Sequence, residues 1–100
     1  RTLTLIDCTP AELKKHLESQ FDSKMSWDNY GVHGWHVDHR KPCDAFDLSD
    51  PDEQIQCFHY TNLQPMWGPE NCSKSNKFDP ATFTHNWNGN QWVLNTIRRV

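Results

Sequence analysis

The sequence predicts a small α+β domain. Three observations carry this. Helix-start signals occur three times, at Thr9-Pro10, Asp50-Pro51 and Gly68-Pro69. Two short extended segments, "GWHVDH" and "NLQPMW", alternate with those starts. The length of 100 residues is that of one domain with one core.

The first helix is the best marked. In "CTPAELKKHLESQF", Thr9 is the N-cap, Pro10 takes the first helical position and Glu12 closes a capping box. Leu13, Leu17 and Phe21 recur every four residues as one apolar stripe, which predicts a helix over 10–21. Lys14, Lys15 and Glu18 fall off that stripe and face solvent. In "SDPDEQIQCFHY" the device repeats: Asp50 caps, Pro51 follows and Glu53 closes the box, for a helix over 51–58. "WGPENCSKSNK" predicts a third helix over 69–76.

The extended pieces read as strands. Along "GWHVDH", Trp35, Val37 and His39 face one way, and His36 and Asp38 the other. In "NLQPMW", Leu63 and Trp67 are core anchors, and Pro65 restricts the strand to an edge or a bulge. "MSWDNYG" is an aromatic turn ending in Gly31. After Lys77 the pattern offers a fourth Asp-Pro helix start at Asp79, a loop at "HNWNGN" with an Asn88-Gly89 turn, and a terminal strand in "QWVLNTI". The expected organisation is one domain over 1–100, with its core at 9–77 and residues 78–100 as a C-terminal extension.

Composition narrows the class. Hydrophobic residues make up 35% and the mean hydropathy is -0.90, yet there are five Trp, five Phe and two Tyr. A few large aromatic rings, each able to bury roughly 150–250 Å², must therefore build the core. No run of eighteen apolar residues exists, so no membrane span is expected. The formal net charge is -3, whereas a free-standing DNA binder usually carries a basic balance. The chain begins at Arg1 rather than Met, so a piece of a longer protein is expected. Cys8, Cys43, Cys57 and Cys72 contain no C-x-x-C pair, so no structural zinc is expected. Free thiols in an intracellular protein are the default, and a disulfide stays open.

The chemistry gathers where the elements change. Asp38-His39 ends the first strand, Asn62 enters the second, Asn71 lies in the first turn of the third helix, and Lys74 and Lys77 continue along it. Asp38 and Asn71 offer oxygen donors suited to a hard divalent cation such as Mg²⁺. His39 can take a proton from water near neutral pH. Arg40, Lys41, Lys74 and Lys77 can touch phosphates. Each feature also has a plainer reading. Asp-His pairs occur on solvated strand ends, Asn62 alone is a turn residue, and helix lysines are usually solvated. His16, His33, His36 and His59 are assigned structural roles, with His36 on the strand face of Asp38. Trp27, Trp35 and Trp67 are assigned to the core. Arg98-Arg99 is a DNA contact or a charged terminus.

Taken in order, "WHVDHRKPCDAFDL" and "CFHYTNLQPMWGPENCSKSNK" resemble the HNH endonuclease family with its ββα-metal fold. The matching positions are Asp38, His39, Pro42, Asn62, Leu63, Gln64, Asn71 and Lys74, and the likeness covers about residues 9–77. The segment upstream of Asp38 is also similar to small phage-type HNH proteins. The resemblance implies His39 as general base, Asp38 and Asn71 as metal ligands, and Asn62 as the catalytic-motif residue that braces the histidine loop. Because Asn71 stands where many relatives carry His, the site is of HNN type, which favours Mg²⁺ or Mn²⁺ over tightly held Zn²⁺.

The expectation is therefore a metal-dependent DNA endonuclease. It would nick one strand per active site in the cytoplasm, in a phage or virus-infected host. A missing targeting domain or a guide would supply the grip that the net charge does not. The rivals are a non-catalytic nucleic-acid-binding module of the same fold and a zinc- or disulfide-stabilised interaction domain. RNA or branched DNA remains open as the substrate, as does the oligomeric state.

Overall fold

A computed structural model describes residues 5–95. Its elements run α1 (Pro10–Glu18), β1 (Trp35–His39), α2 (Pro51–Phe58), β2 (Leu63–Trp67), α3 (Gly68–Lys74), β3 (His85–Trp87) and β4 (Trp92–Leu94). Single 3-10 turns occupy Trp27–Asn29, Cys43–Ala45 and Tyr60–Asn62. Over the described residues, the result is an α+β domain with three short helices and two antiparallel two-stranded sheets.

Local chemistry explains the helix ends. Thr9 Oγ1 accepts from Glu12 N at 3.1 Å, and Thr9 N donates back to Glu12 Oε1 at 2.8 Å. The capping box is thus complete, but α1 stops at Glu18 rather than Phe21. The last residues tighten instead, with Gln20 N donating to Leu17 O and Phe21 N to Glu18 O. That turn delivers the Phe21 ring to Trp35, with centroids 5.0 Å apart. α2 has its expected bounds, and Asp50 caps it through Asp52 N. Glu53 does not close a box there: its carboxylate accepts from Asp47 N at 2.9 Å. α3 ends at Lys74 rather than Asn76, because Ser75 turns to φ 48°.

β1 and β2 pair from Trp35 opposite Trp67 to His39 opposite Leu63. Among the described residues each has only the other as sheet neighbour, so Pro65, opposite Val37, removes no ladder bond of a third strand there. Chain direction reverses into β1 at Gly34. A Cβ there would lie 1.5 Å from Asn29 O, so only glycine fits. α3 follows β2 directly and packs across both strands.

Trp35 is fully buried, ringed by Phe21, Trp27 and Tyr30, and its indole N–H donates to Ser26 O at 2.6 Å. Trp27, expected in the core, is exposed on its outer side. Trp67 is half-buried, its N–H donating to Asp22 Oδ2.

A second cluster joins Phe46, Cys57 and Trp92, with Cys43, Phe58, Phe83 and Trp87 against it. The segment after Lys77 therefore contributes to the core. Trp92 N donates to Thr61 Oγ1 and its indole N–H to Gln56 O. The Asp-Pro at 79–80 opens a turn, not a helix: Asp79 caps Ala81 N and accepts Thr82 N. "HNW" is a strand rather than loop, because Trp87 pairs with Trp92 around the Asn88-Gly89 turn. The expected terminal strand is seen as Trp92–Leu94. Its Thr96 and Ile97, and the Arg98-Arg99 pair, lie outside the described residues.

Candidate functional site

The face of β1 that carries His36 and Asp38 lies under α3. Helix positions three apart rise about 4.5 Å and strand positions two apart about 6.7 Å, so Asn71 and Lys74 can each meet one strand residue. Asn71 Nδ2 lies 3.1 Å from His36 Nδ1. Lys74 Nζ donates to Asp38 Oδ1 at 3.2 Å and to the His39 carbonyl at 2.7 Å, and lies 3.0 Å from Asp38 Oδ2 as an ion pair. Gln64, across the ladder, donates to Asp38 Oδ2 at 2.8 Å. Asp38 is buried, so its charge is balanced by the ammonium and the amide rather than by bulk water.

Asp38, His39 and Asn71 line one cavity of about 310 Å³, together with Val37, Pro42, Cys43 and Ser75. The His39 ring is half-buried, edge-on to Phe58 at 5.9 Å. Burial pushes its pKa below the usual histidine value, the Asp38 charge opposes this, and Lys74 adds to the lowering. The imidazole is therefore neutral near pH 7, the form that accepts a proton.

Asn62 is fully buried and touches no solvent. Its Oδ1 accepts from Lys41 N at 2.9 Å, and its Nδ2 donates to Lys41 O at 3.1 Å and Cys57 O at 3.0 Å. Its own carbonyl accepts from Arg40 N at 2.7 Å. Asn62 cannot reach a substrate here; it ties the backbone after His39 to α2.

The four expected phosphate contacts separate. Arg40 is half-buried, its guanidinium donating to Gln64 Oε1 at 3.0 Å and to Gln20 Oε1, while Nε has no partner among the described residues. Burial lowers its pKa against the pull of Asp38. Lys41 lies over the Phe46 and Phe78 rings, at 4.4 and 5.2 Å. Lys74 is committed to Asp38, and Lys77 is exposed. Arg40, Lys74 and Lys77 do line one neighbouring cavity of about 260 Å³, with Thr82 and Thr84. Lys41 is not part of it.

His16 and His59 are held by structural bonds, whereas His33, also assigned a structural role, is exposed. His16 Nε2 contacts Leu63 O at 2.9 Å, and His59 is buried between Thr61 Oγ1 and Asp7 Oδ2. Sequence reasoning missed one grouping. Cys57 Sγ donates to Cys43 Sγ at 3.2 Å, and a His39 ring nitrogen joins them, all three atoms within 4.8 Å of one another. The only signal was the His39-to-Cys43 spacing; Cys57 arrives from α2, beyond any local pattern. All four cysteines are free thiols, and burial with the Cys43 hydrogen bond pushes Cys57 up to about 12.

Two ligand sets are thus available. Asp38 and Asn71 offer hard oxygen donors: the Asn71 amide nitrogen is engaged with His36, which leaves Oδ1 as its donor. Such donors are of the type that hard cations take, but Lys74 already occupies Asp38. His39, Cys43 and Cys57 form a softer set.

Comparison with known proteins gives relatives without assigned roles. The chain is similar to uncharacterized protein L426 of Acanthamoeba polyphaga mimivirus, with 45% identity over 67 residues. That match covers 67% of this chain and 29% of the relative. It is also similar to uncharacterized protein L246 of the same virus, with 46% identity over 65 residues, 65% of this chain and 28% of the relative. The chain thus spans less than a third of either relative's length. No family model matches it, and no solved structure matches it. Among the described residues no helix is long and apolar enough to cross a membrane.

Proposed function

We propose that this chain is a metal-dependent endonuclease domain of the HNH type, with an HNN-type site on a ββα-metal core, that nicks one strand of DNA. The observation that carries the reading is the single cavity shared by Asp38, His39 and Asn71, three residues from two elements far apart in sequence. The β1–β2–α3 succession, with α3 lying across both strands, supports the ββα part of it.

His39 takes the proton from the attacking water, a role its lowered pKa suits. Asn62 acts as a positioning residue, fixing the backbone that follows His39. Asp38 and Asn71 would hold a Mg²⁺ or Mn²⁺ ion, which would supply positive charge to the scissile phosphate and the leaving oxygen. Lys77, with Arg40 and Lys74 behind it, supplies the local positive charge for the DNA backbone. The net charge of -3 leaves most of the grip to another domain, a guide or a partner. The greater length of the viral relatives leaves room for such a domain. The setting is the cytoplasm of a virus-infected cell.

One observation favours a second reading. Lys74 Nζ already neutralises both Asp38 oxygens, where the cation would sit. A nucleic-acid-binding module that keeps the fold without cutting would look the same. Nicking of supercoiled plasmid separates the two. Cleavage with Mg²⁺ or Mn²⁺, abolished by EDTA and by His39→Ala or Asn71→Ala, is the expected result. A folded wild-type chain that neither nicks nor gives a calorimetric signal with Mn²⁺ would leave the binding module standing.

A further inference from the structure

We infer that His39, Cys43 and Cys57 form a binding site for a thiophilic divalent ion, Zn²⁺ foremost, and that an ion held there removes His39 from use as a base. The second half rests on the nuclease reading; the first does not.

The three donors come from the end of β1, the 3-10 turn after it, and α2. Their ligand atoms lie within 4.8 Å of one another. Around a tetrahedral Zn²⁺, with Zn–S about 2.3 Å and Zn–N about 2.0 Å, donor atoms sit roughly 3.5–3.8 Å apart. The cluster therefore needs small side-chain adjustments, and its two sulfurs, at 3.2 Å, need only part slightly.

The scaffold is already fixed. Asn62 Nδ2 binds Lys41 O and Cys57 O at once, so one buried amide ties the His39–Cys43 segment to the helix carrying Cys57. Two sulfurs and an imidazole select Zn²⁺ over Mg²⁺, just as Asp38 and Asn71 select the reverse. The imidazole also argues against reading the sulfurs as an incipient disulfide alone, since a disulfide has no use for a third donor. His39 and Cys43 line the cavity, which gives the ion a way in and lets solvent supply a fourth donor. On binding, the Cys43 and Cys57 thiol protons pass to solvent and both sulfurs become thiolate ligands.

The consequence follows from the ring itself. A neutral imidazole has one nitrogen lone pair and one N–H. An ion on either nitrogen uses that lone pair, and none remains to accept a proton from water. Zn²⁺ at the soft set and Mg²⁺ at the hard set thus act in opposite directions through one residue.

The test uses Co²⁺ as a spectroscopic probe on the fully reduced chain. One equivalent should give a sulfur-to-cobalt charge-transfer band in the near ultraviolet and the visible bands of a tetrahedral ion, both bleached by Zn²⁺. Cys43→Ser should weaken Co²⁺ affinity by more than about tenfold, while Cys8→Ser and Cys72→Ser leave the bands intact. Cys57→Ser should behave as Cys43→Ser; if its buried position stops it folding, the half-exposed Cys43 variant decides alone. No bands in the reduced wild type, or bands unchanged in Cys43→Ser, would overturn the site. In the nicking assay one equivalent of Zn²⁺ should abolish Mg²⁺-supported cleavage in the wild type, but not in Cys43→Ser. Cobalt bands with neither nicking nor a calorimetric signal with Mn²⁺ would sink the nuclease reading and keep the metal site; nicking without bands would do the opposite.

Discussion

Asn62 holds Lys41 by both of its backbone polar groups: Oδ1 accepts from Lys41 N at 2.9 Å and Nδ2 donates to Lys41 O at 3.1 Å. The side chain thus imitates a strand neighbour for a segment that has left the sheet. The same Nδ2 reaches Cys57 O, so the buried amide serves three backbone groups. Asn62→Ala leaves these groups without partners in a place water does not reach. At about 1–3 kcal/mol for each unsatisfied group, the loss should be about 3 kcal/mol or more. An unfolding free energy from urea titration that falls by less than about a third of that would show that solvent enters the gap. Asn62→Asp should be no better, because a carboxylate oxygen would then face two carbonyls.

Lys74 and Asp38 set a competition between folding and metal binding. Breaking a fully buried pair costs about 3–5 kcal/mol. Lys74 keeps 21% of its side chain exposed, so Lys74→Met should cost about 2 kcal/mol. Without the ammonium, Asp38 is open to a cation. Mn²⁺ should then raise the melting temperature of Lys74→Met more than that of the wild type, since a ligand stabilises the state it binds. Equal shifts in both proteins would mean that Asp38 is not a ligand.

The sequence shows some of this and hides the rest for physical reasons. Helix starts were legible because capping is local: Thr9, Glu12 and Asp50 act on groups two or three residues away. Helix ends were not, because α1 stops where Phe21 must reach Trp35 and α3 stops where Ser75 reverses. Trp92 gave no sign of its place in the core, which depends on Gln56 and Thr61 from another part of the chain. Among the site residues, Asp38, His39 and Asn71 could be named from motif order. Their charge balance could not, since Lys74 reads as a solvated helix lysine until α3 is laid on β1. The commitment of Lys41 to two phenylalanine rings was equally invisible.

Burial of histidine sets the pH response. The pKa values of His16 and His39 are both lowered, first by desolvation, with the Leu63 carbonyl opposing this for His16 and Asp38 for His39. Between the folded value and the unfolded value near 6.5, the unfolded chain binds more protons, so stability rises with pH. The contribution is complete above about 6.5 and is lost as pH falls through the folded values. Urea midpoints should therefore hold steady from pH 8 to 7 and fall from pH 6.5 downward. His16→Gln should flatten that fall in part. A midpoint that rises on acidification would contradict both assignments.

Ser75 is the clearest strained position near the site. It takes φ 48° and ψ -127°, where a Cβ is unfavourable, and it lines the cavity with Asp38, His39 and Asn71. Among the described residues its hydroxyl makes no hydrogen bond, while its backbone N–H closes α3 onto Asn71 O at 2.9 Å. Ser75→Gly should relieve the strain and stabilise the chain by about 1 kcal/mol, net of the extra freedom glycine gains when unfolded. Ser75→Ala removes the same hydroxyl but keeps Cβ, so it should leave stability within about 0.5 kcal/mol of the wild type. Equal stabilisation by both would place the effect in the hydroxyl rather than the backbone. Because neither change touches a proposed ligand, Co²⁺ binding should survive in both, and its loss in Ser75→Gly alone would show that the strained turn helps to hold the cavity open.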